Sequence, residues 1–217
     1  MPERTAPSHR GTDGDPSLTD VTPRSVLSGR PPLPFGCALR ALAACALRTG
    51  ALLLRRRIHQ PREHVGRPCS FADGTTSTVY RETVIDRLPP RSPAALVVSF
   101  RLRHVRGVPA HAVFRLESVL NTVLFVGFAG FVSKLWLAHD ENGVYRGIYD
   151  WDGPLSAEAY VRALWWALAV VSDPASIQYA VLPGLSRDEL LRGPRLADAV
   201  ATDGTGAWWR PVEASWR

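Results

Sequence analysis

The sequence predicts an α+β fold built on an antiparallel sheet. Three observations point there. Residues 94–183 read in the order strand, helix, strand, strand, helix, strand. The strand segments are short and β-branched or aromatic, whereas the helical ones carry apolar residues three and four apart. Asn142-Gly143, between the two middle strands, is a hairpin signal.

Residues 1–34 are rich in Pro, Gly, Ser and Asp and show no periodicity, so they read as a disordered tail. Residues 37–58 read as a helix, with Arg40, Ala44, Arg48, Ala51 and Arg55 on one stripe and leucines and alanines mostly off it. Two readings of that cationic face stand: a helix packed on the domain, or an interfacial helix at a membrane or partner. Arg40 and Arg48 near its middle weigh against a membrane span. Asp73-Gly74, flanked by Thr-, Val- and Tyr-rich segments at 69–71 and 76–85, predicts a β-hairpin. The Pro-rich run 88–93 is the expected boundary. The division is thus a tail (1–34), a helix and hairpin extension (35–93), a main domain (94–184), and a short helix with a C-terminal tail (185–217).

Residues 95–103 alternate, with Leu96, Val98, Phe100 and Leu102 facing one way, and predict a half-buried strand. Pro109 suits a helix start, and the stripe Val113, Leu116, Leu120, Val123 and Leu124 runs toward Gly127 or Gly130. Strands follow at 131–138 and 144–151. Residues 157–171 predict a helix with Ser156 as N-cap and Tyr160, Leu164, Leu168 and Val171 buried. A last strand covers 176–182, and Ser186 to Glu189 forms a capping box before a short helix ending at Gly193. With right-handed crossovers this order is ferredoxin-like, βαββαβ, with two helices on one sheet face. The other face needs a cover, for which a dimer partner or the N-terminal segments are available.

Composition narrows the function. The 217 residues are 46% hydrophobic and 21% charged, which suits one soluble domain with extensions. Cys37, Cys45 and Cys69 are odd in number and form no CxxC, so neither a disulfide framework nor a zinc site is expected, and a cytoplasmic protein is the plain reading. No secretory signal is visible. The net charge is +6, and only Lys134 among the 26 basic residues is a lysine. Residues 1–64 hold ten arginines against five acids, but no nucleic-acid-binding signature accompanies them, and nucleic acid is not expected as a partner. P-loop, GxGxxG and GxSxG motifs are absent, so no nucleotide cofactor or hydrolase triad is indicated.

A two-residue turn at Asn142-Gly143 would set Trp136 opposite Tyr149 and Lys134 opposite Trp151. Lys134, Trp136, Tyr149 and Trp151 then line one surface, and Ser133, Leu135, Leu137, Ile148 and Asp150 the other. The first surface reads either as a pocket wall for an anionic or phenolic group or as a cation–π pair in an aromatic core. A buried lysine there could be held neutral and act as a base. On the first helix Glu117 and Asn121 are neighbours that could hold substrate or water. His104 and His111 flank the loop entering it. Their spacing fits no metal motif, and His111 is a candidate base. Trp166, one turn from Arg162 and off the buried stripe, suggests an interface or a pocket mouth.

The stretch Gly130-Phe131-Val132-Ser133-Lys134-Leu135-Trp136-Leu137, then Gly143 to Trp151, then Ala159-Tyr160, resembles the mono-oxygenase-like proteins of the YdhR type in the dimeric α/β-barrel superfamily. The resemblance covers residues 94–183. It implies a ferredoxin-like fold, a homodimer with sheets face to face, and a pocket between sheet and helices. It further implies cofactor-independent mono-oxygenation of a small apolar or aromatic molecule, with Ser133, Lys134, Trp136 and Tyr149 at matching positions. The expected site is therefore Lys134 and His111 as catalytic groups, with Trp136, Tyr149, Trp151, Asn121 and Glu117 against the substrate, and neither cofactor nor metal. The alternative is a non-catalytic dimer that binds a ligand or partner, held at a membrane surface through residues 37–58.

Overall fold

The computed structural model describes residues 28–103, 124–192 and 208–213. These form a mixed α+β fold with a curled antiparallel sheet. Its strands are β1 (Ile58–His59), β2 (Pro68–Phe71), β3 (Thr76–Ile85), β4 (Pro93–Arg101), β5 (Phe131–Leu137), β6 (Val144–Asp152), β7 (Gln178–Pro183) and β8 (Pro211–Glu213). The order across the sheet is β7-β4-β6-β5-β3-β2-β8, with β1 beside β3. The helices are α1 (Phe35–Leu54), α2 (Pro154–Val171) and α3 (Arg187–Arg192). The first helix expected after β4 lies outside the described residues.

The turn at Asn142-Gly143 corrects the expected register. Lys134 faces Tyr149, Trp136 faces Gly147 and Leu137 faces Arg146, two positions away from the predicted pairing. The cause is Asp140. Its carboxylate accepts from the backbone N–H of Asn142 (2.8 Å) and Val144 (3.0 Å), and Gly143 N–H closes on the Asp140 carbonyl at 3.0 Å. Gly143, at φ 74°, occupies a left-handed position after the turn, which makes a wider loop than a two-residue bend. Because strand side chains alternate, a slip of two leaves Lys134, Trp136, Tyr149 and Trp151 on their predicted face, and a bulge between Phe131 and Ser133 brings Phe131 to that face as well. The Asp73-Gly74 hairpin repeats the pattern, with Phe71 N–H donating to Thr75 O, Gly74 N–H to Phe71 O, and Gly74 at φ 82°.

β4 lies between β7 and β6 and is buried on both faces, not half-buried as its alternation predicts. Leu96 and Val98 join a core with Phe131, Trp136, Tyr149, Trp151, Tyr160 and Leu164 under α1 and α2. Ala95 and Val97 join a second core with Leu135, Leu137, Ile148 and Leu182 under α3 and Trp209. Thus the second sheet face is covered by the chain's own C-terminal residues, and the segment expected to be a C-terminal tail supplies β8 and a buried Trp209.

α2 starts at Pro154, the favoured first helical position, after Gly153 at φ 101°; Ser156 lies inside the first turn and not at the cap. Its buried face is Ala157, Tyr160, Val161 and Leu164, while Val171 is exposed. Residues 30–33, grouped with the tail by composition, are tied to α2. Leu33 N–H donates to Arg162 O (3.1 Å), Trp166 indole N–H donates to Leu33 O (2.8 Å), and Arg30 pairs with buried Glu158 at 3.1 Å. The capping box of α3 forms as expected: Glu189 N–H donates to Ser186 Oγ (3.2 Å) and Ser186 N–H to Glu189 Oε2 (2.7 Å). The three cysteines are free thiols.

Candidate functional site

Alternation along β5 sends Lys134 and Trp136 toward the helices, and alternation along β6 sends Gly147, Tyr149 and Trp151 to the same side. The Lys134 ammonium nitrogen lies 3.1 Å from the Trp136 ring centroid and 4.7 Å from those of Phe125 and Tyr149. Lys134 is 6% exposed and, among the described residues, makes no ion pair and no hydrogen bond. Burial pushes its pKa well below the ordinary lysine value, and the nearby Arg81 guanidinium adds to the shift. The rings give some cation–π compensation but no counter-charge.

The surroundings fix the geometry. Trp136 indole N–H donates to Thr83 Oγ1 at 3.2 Å, and the Arg81 guanidinium sits 5.0 Å from the Trp136 ring. Tyr160 OH donates to Tyr149 OH at 3.1 Å. Burial raises both phenol pKa values, so both stay protonated. Trp151 is fully buried 5.0 Å from the Tyr160 ring, and among the described residues its indole N–H has no acceptor. Gly147 matters by what it lacks. A Cβ there would come within 2.9 Å of the Tyr149 ring and 3.2 Å of Lys134 Cε.

Chemically this is an amine whose charged form is disfavoured by burial, set among flat rings on the face that also buries the Trp151 indole N–H. It suits removal of a proton from an apolar, acidic substrate and then holding the resulting anion. Lys134, Trp136, Tyr149 and Trp151 are together, whereas His104, His111, Glu117 and Asn121 lie outside the described residues. Sequence reasoning missed Phe125, Gly147, Arg81 and Thr83 as neighbours. Tyr160 was legible as a buried helix position but not as the partner of Tyr149. The adjacent β3 register, which pairs Thr83 with Lys134 and Arg81 with Trp136, had no signal in the sequence.

A second polar cluster lies on the opposite sheet face. His64 Nδ1 and Glu82 Oε2 are 2.6 Å apart, and Arg187 donates to Glu82 Oε1 at 2.7 Å. Asp150 accepts from Arg187 N–H at 3.4 Å, and burial pushes its pKa up to about 6. Cys69 is also on this side, its thiol pushed up to about 12 by burial and thus unreactive. Among the described residues no three His, Cys, Asp or Glu side chains group to hold a metal ion. Comparison with protein-family models, with curated proteins and with solved structures returned no match.

Proposed function

We propose that the protein binds a small apolar or aromatic molecule against the Lys134 cluster and oxygenates it without a cofactor. The observation that carries this reading is Lys134 itself, a buried amine with no carboxylate among the described residues and with three rings around it. In a chain with 25 arginines the choice of lysine is chemically pointed. A guanidinium cannot shed its proton inside a protein, whereas a buried amine can.

In this reading the neutral amine takes a proton from a phenol or from an activated C–H such as that of anthrone. The substrate anion is the reductant and dioxygen the oxidant. A C–O bond forms to give a peroxide anion, which takes the Lys134 proton and becomes a hydroperoxide. The neutral amine then removes the second substrate hydrogen as a proton while the O–O bond breaks, so one oxygen stays in the quinone product and the other leaves as hydroxide, which takes that proton from Lys134 and departs as water. In this reading the Trp151 indole N–H, buried without an acceptor among the described residues, would hold the developing oxyanion.

The order β7-β4-β6-β5, with α2 between β6 and β7, supports a ferredoxin-like unit and through it the YdhR-type resemblance. α3 and Trp209 occupy the sheet face that a partner subunit covers in that family, so a homodimer would form through another surface. The test is oxygen uptake with a panel of anthrones and hydroquinones, alongside substrate binding followed by tryptophan fluorescence. Wild-type turnover should fall at least about 100-fold in Lys134→Met, with binding largely kept. Binding without oxygen uptake would favour the non-catalytic reading, and turnover unchanged in Lys134→Met would refute the assignment.

A further inference from the structure

We propose that α1 is an interfacial helix that docks the domain on an anionic phospholipid surface. α1 has three distinct faces. Ala38, Cys45 and Thr49 are buried, and the packing is close enough that a Cβ on Gly127 would overlap the Cys45 carbonyl. A second stripe, Phe35, Leu39, Ala43, Ala46, Gly50 and Leu53, follows helical spacing; Leu39, Ala43 and Leu53 are exposed, Ala46 and Gly50 are half-buried, and Leu47 (79% exposed) and Leu54 (88%) lie on its border. The third face carries Arg40, Arg48 and Arg55, all exposed.

Exposed leucines alone would not name an occupant, but the charge does. Residues 28–62 hold seven arginines and no carboxylate. At the C-terminal end of α1 a cleft of about 520 Å³ is bordered by Arg48, Arg55, Arg57 and Arg87, with Asp86 the single acid among the described residues that line it. Arg57 and Arg87 are tied to backbone carbonyls and, for Arg87, to Asp152, while Asp86 faces His59 at 2.8 Å. Arg48 and Arg55 make no ion pair among the described residues, which leaves them for a lipid phosphate. At the other end of α1 the Trp166 ring packs edge-on to Phe35 at 5.5 Å, a side chain suited to the headgroup level.

A helix whose inner face holds the domain, whose outer stripe is apolar and whose flank is cationic lies flat in the interface, with arginines among the headgroups. α1 has the length and composition of a membrane span, but spanning would strip Cys45 and Thr49 from their packing. A second copy on the same face would bring two arginine stripes together with no acid on either helix.

The full chain should sediment with vesicles of phosphatidylcholine containing phosphatidylglycerol, not with phosphatidylcholine alone, and should be released as salt is raised. Arg40→Gln/Arg48→Gln/Arg55→Gln should weaken binding about 100-fold, and Leu47→Asp at least about 10-fold. These positions are exposed, so circular dichroism should stay unchanged. Equal binding to both vesicles, or none, overturns the proposal. So does a pellet that resists carbonate extraction, which marks a span. A dimer abolished by Leu47→Asp without vesicle binding also overturns it and assigns the face to a second copy.

Discussion

The two faces of the sheet bury cations in opposite ways. On the face under α3, Arg146 lies between Asp140 (2.6 Å) and Asp73 (2.7 Å), donates to Trp208 O (3.1 Å) and covers the Phe71 ring. Arg187 on the same side is held by Glu82 and Asp188. On the face under α1 and α2, Lys134 meets rings and no acid among the described residues. An arginine cannot give up its charge, and on the face under α3 both Arg146 and Arg187 are held by carboxylates that tie turns and termini together. Lysine can become neutral, so the aromatic face holds a group whose protonation is free to change. The charges of Arg146 and Arg187 hold the fold on one face, while the charge of Lys134 on the other is disfavoured by burial.

Removing the paired cation should give the largest effect. Arg146→Met leaves Asp140, fully buried, without its partner and unties the two hairpin turns at Asp73 and Asp140. The expected loss is about 3–5 kcal/mol, read from the urea midpoint. A loss under about 1 kcal/mol would show that the network is solvated and that the contrast between the faces is false.

The same chemical change at Lys134 should have the opposite sign. Its folded pKa is depressed, so between that value and roughly 10.4 the unfolded chain binds a proton that the folded chain has released. Stability therefore rises with pH across that window, and at pH 7 the wild type still carries the cost. Lys134→Met should stabilise by about 1–2 kcal/mol at pH 7 and lose this pH dependence. Lys134→Arg, which keeps the charge, should destabilise. Lys134→Met that destabilises at pH 7 would mean the cation–π contacts outweigh desolvation.

Much of this contrast was legible in the sequence, though unevenly. Alternation placed Lys134, Trp136, Tyr149 and Trp151 on one side even though the turn was wider than expected, because a slip of two preserves parity. What stayed hidden was non-local. Nothing near Lys134 in sequence says that β3 pairs with β5, so Thr83 and Arg81 could not be placed. The Asn-Gly rule missed the Asp140 carboxylate, which competes for the turn N–H groups. Trp209 stood out from a loose tail, but its burial could not be placed, because that depends on β8 joining β2 across the whole chain.

Asp150 gives the smallest and finest test, since it is an acid on the structural face that lacks a full partner. It receives one long hydrogen bond from Arg187 N–H, while burial, Asp188 and Glu189 all favour its neutral form. Its folded pKa of about 6 exceeds the ordinary aspartate value of roughly 3.9. Between these values the folded state keeps a proton that the unfolded state has lost, so stability falls as pH rises through this window. Asp150→Asn mimics the protonated form and keeps the acceptor for Arg187. It should raise Tm by a few degrees at pH 7.5, about 1 kcal/mol, and leave Tm unchanged at pH 3.5, where both forms are neutral. An equal gain at both pH values would trace to packing instead of charge. Asp150 would then belong with the satisfied groups around Arg187, and Lys134 alone would distinguish the two faces.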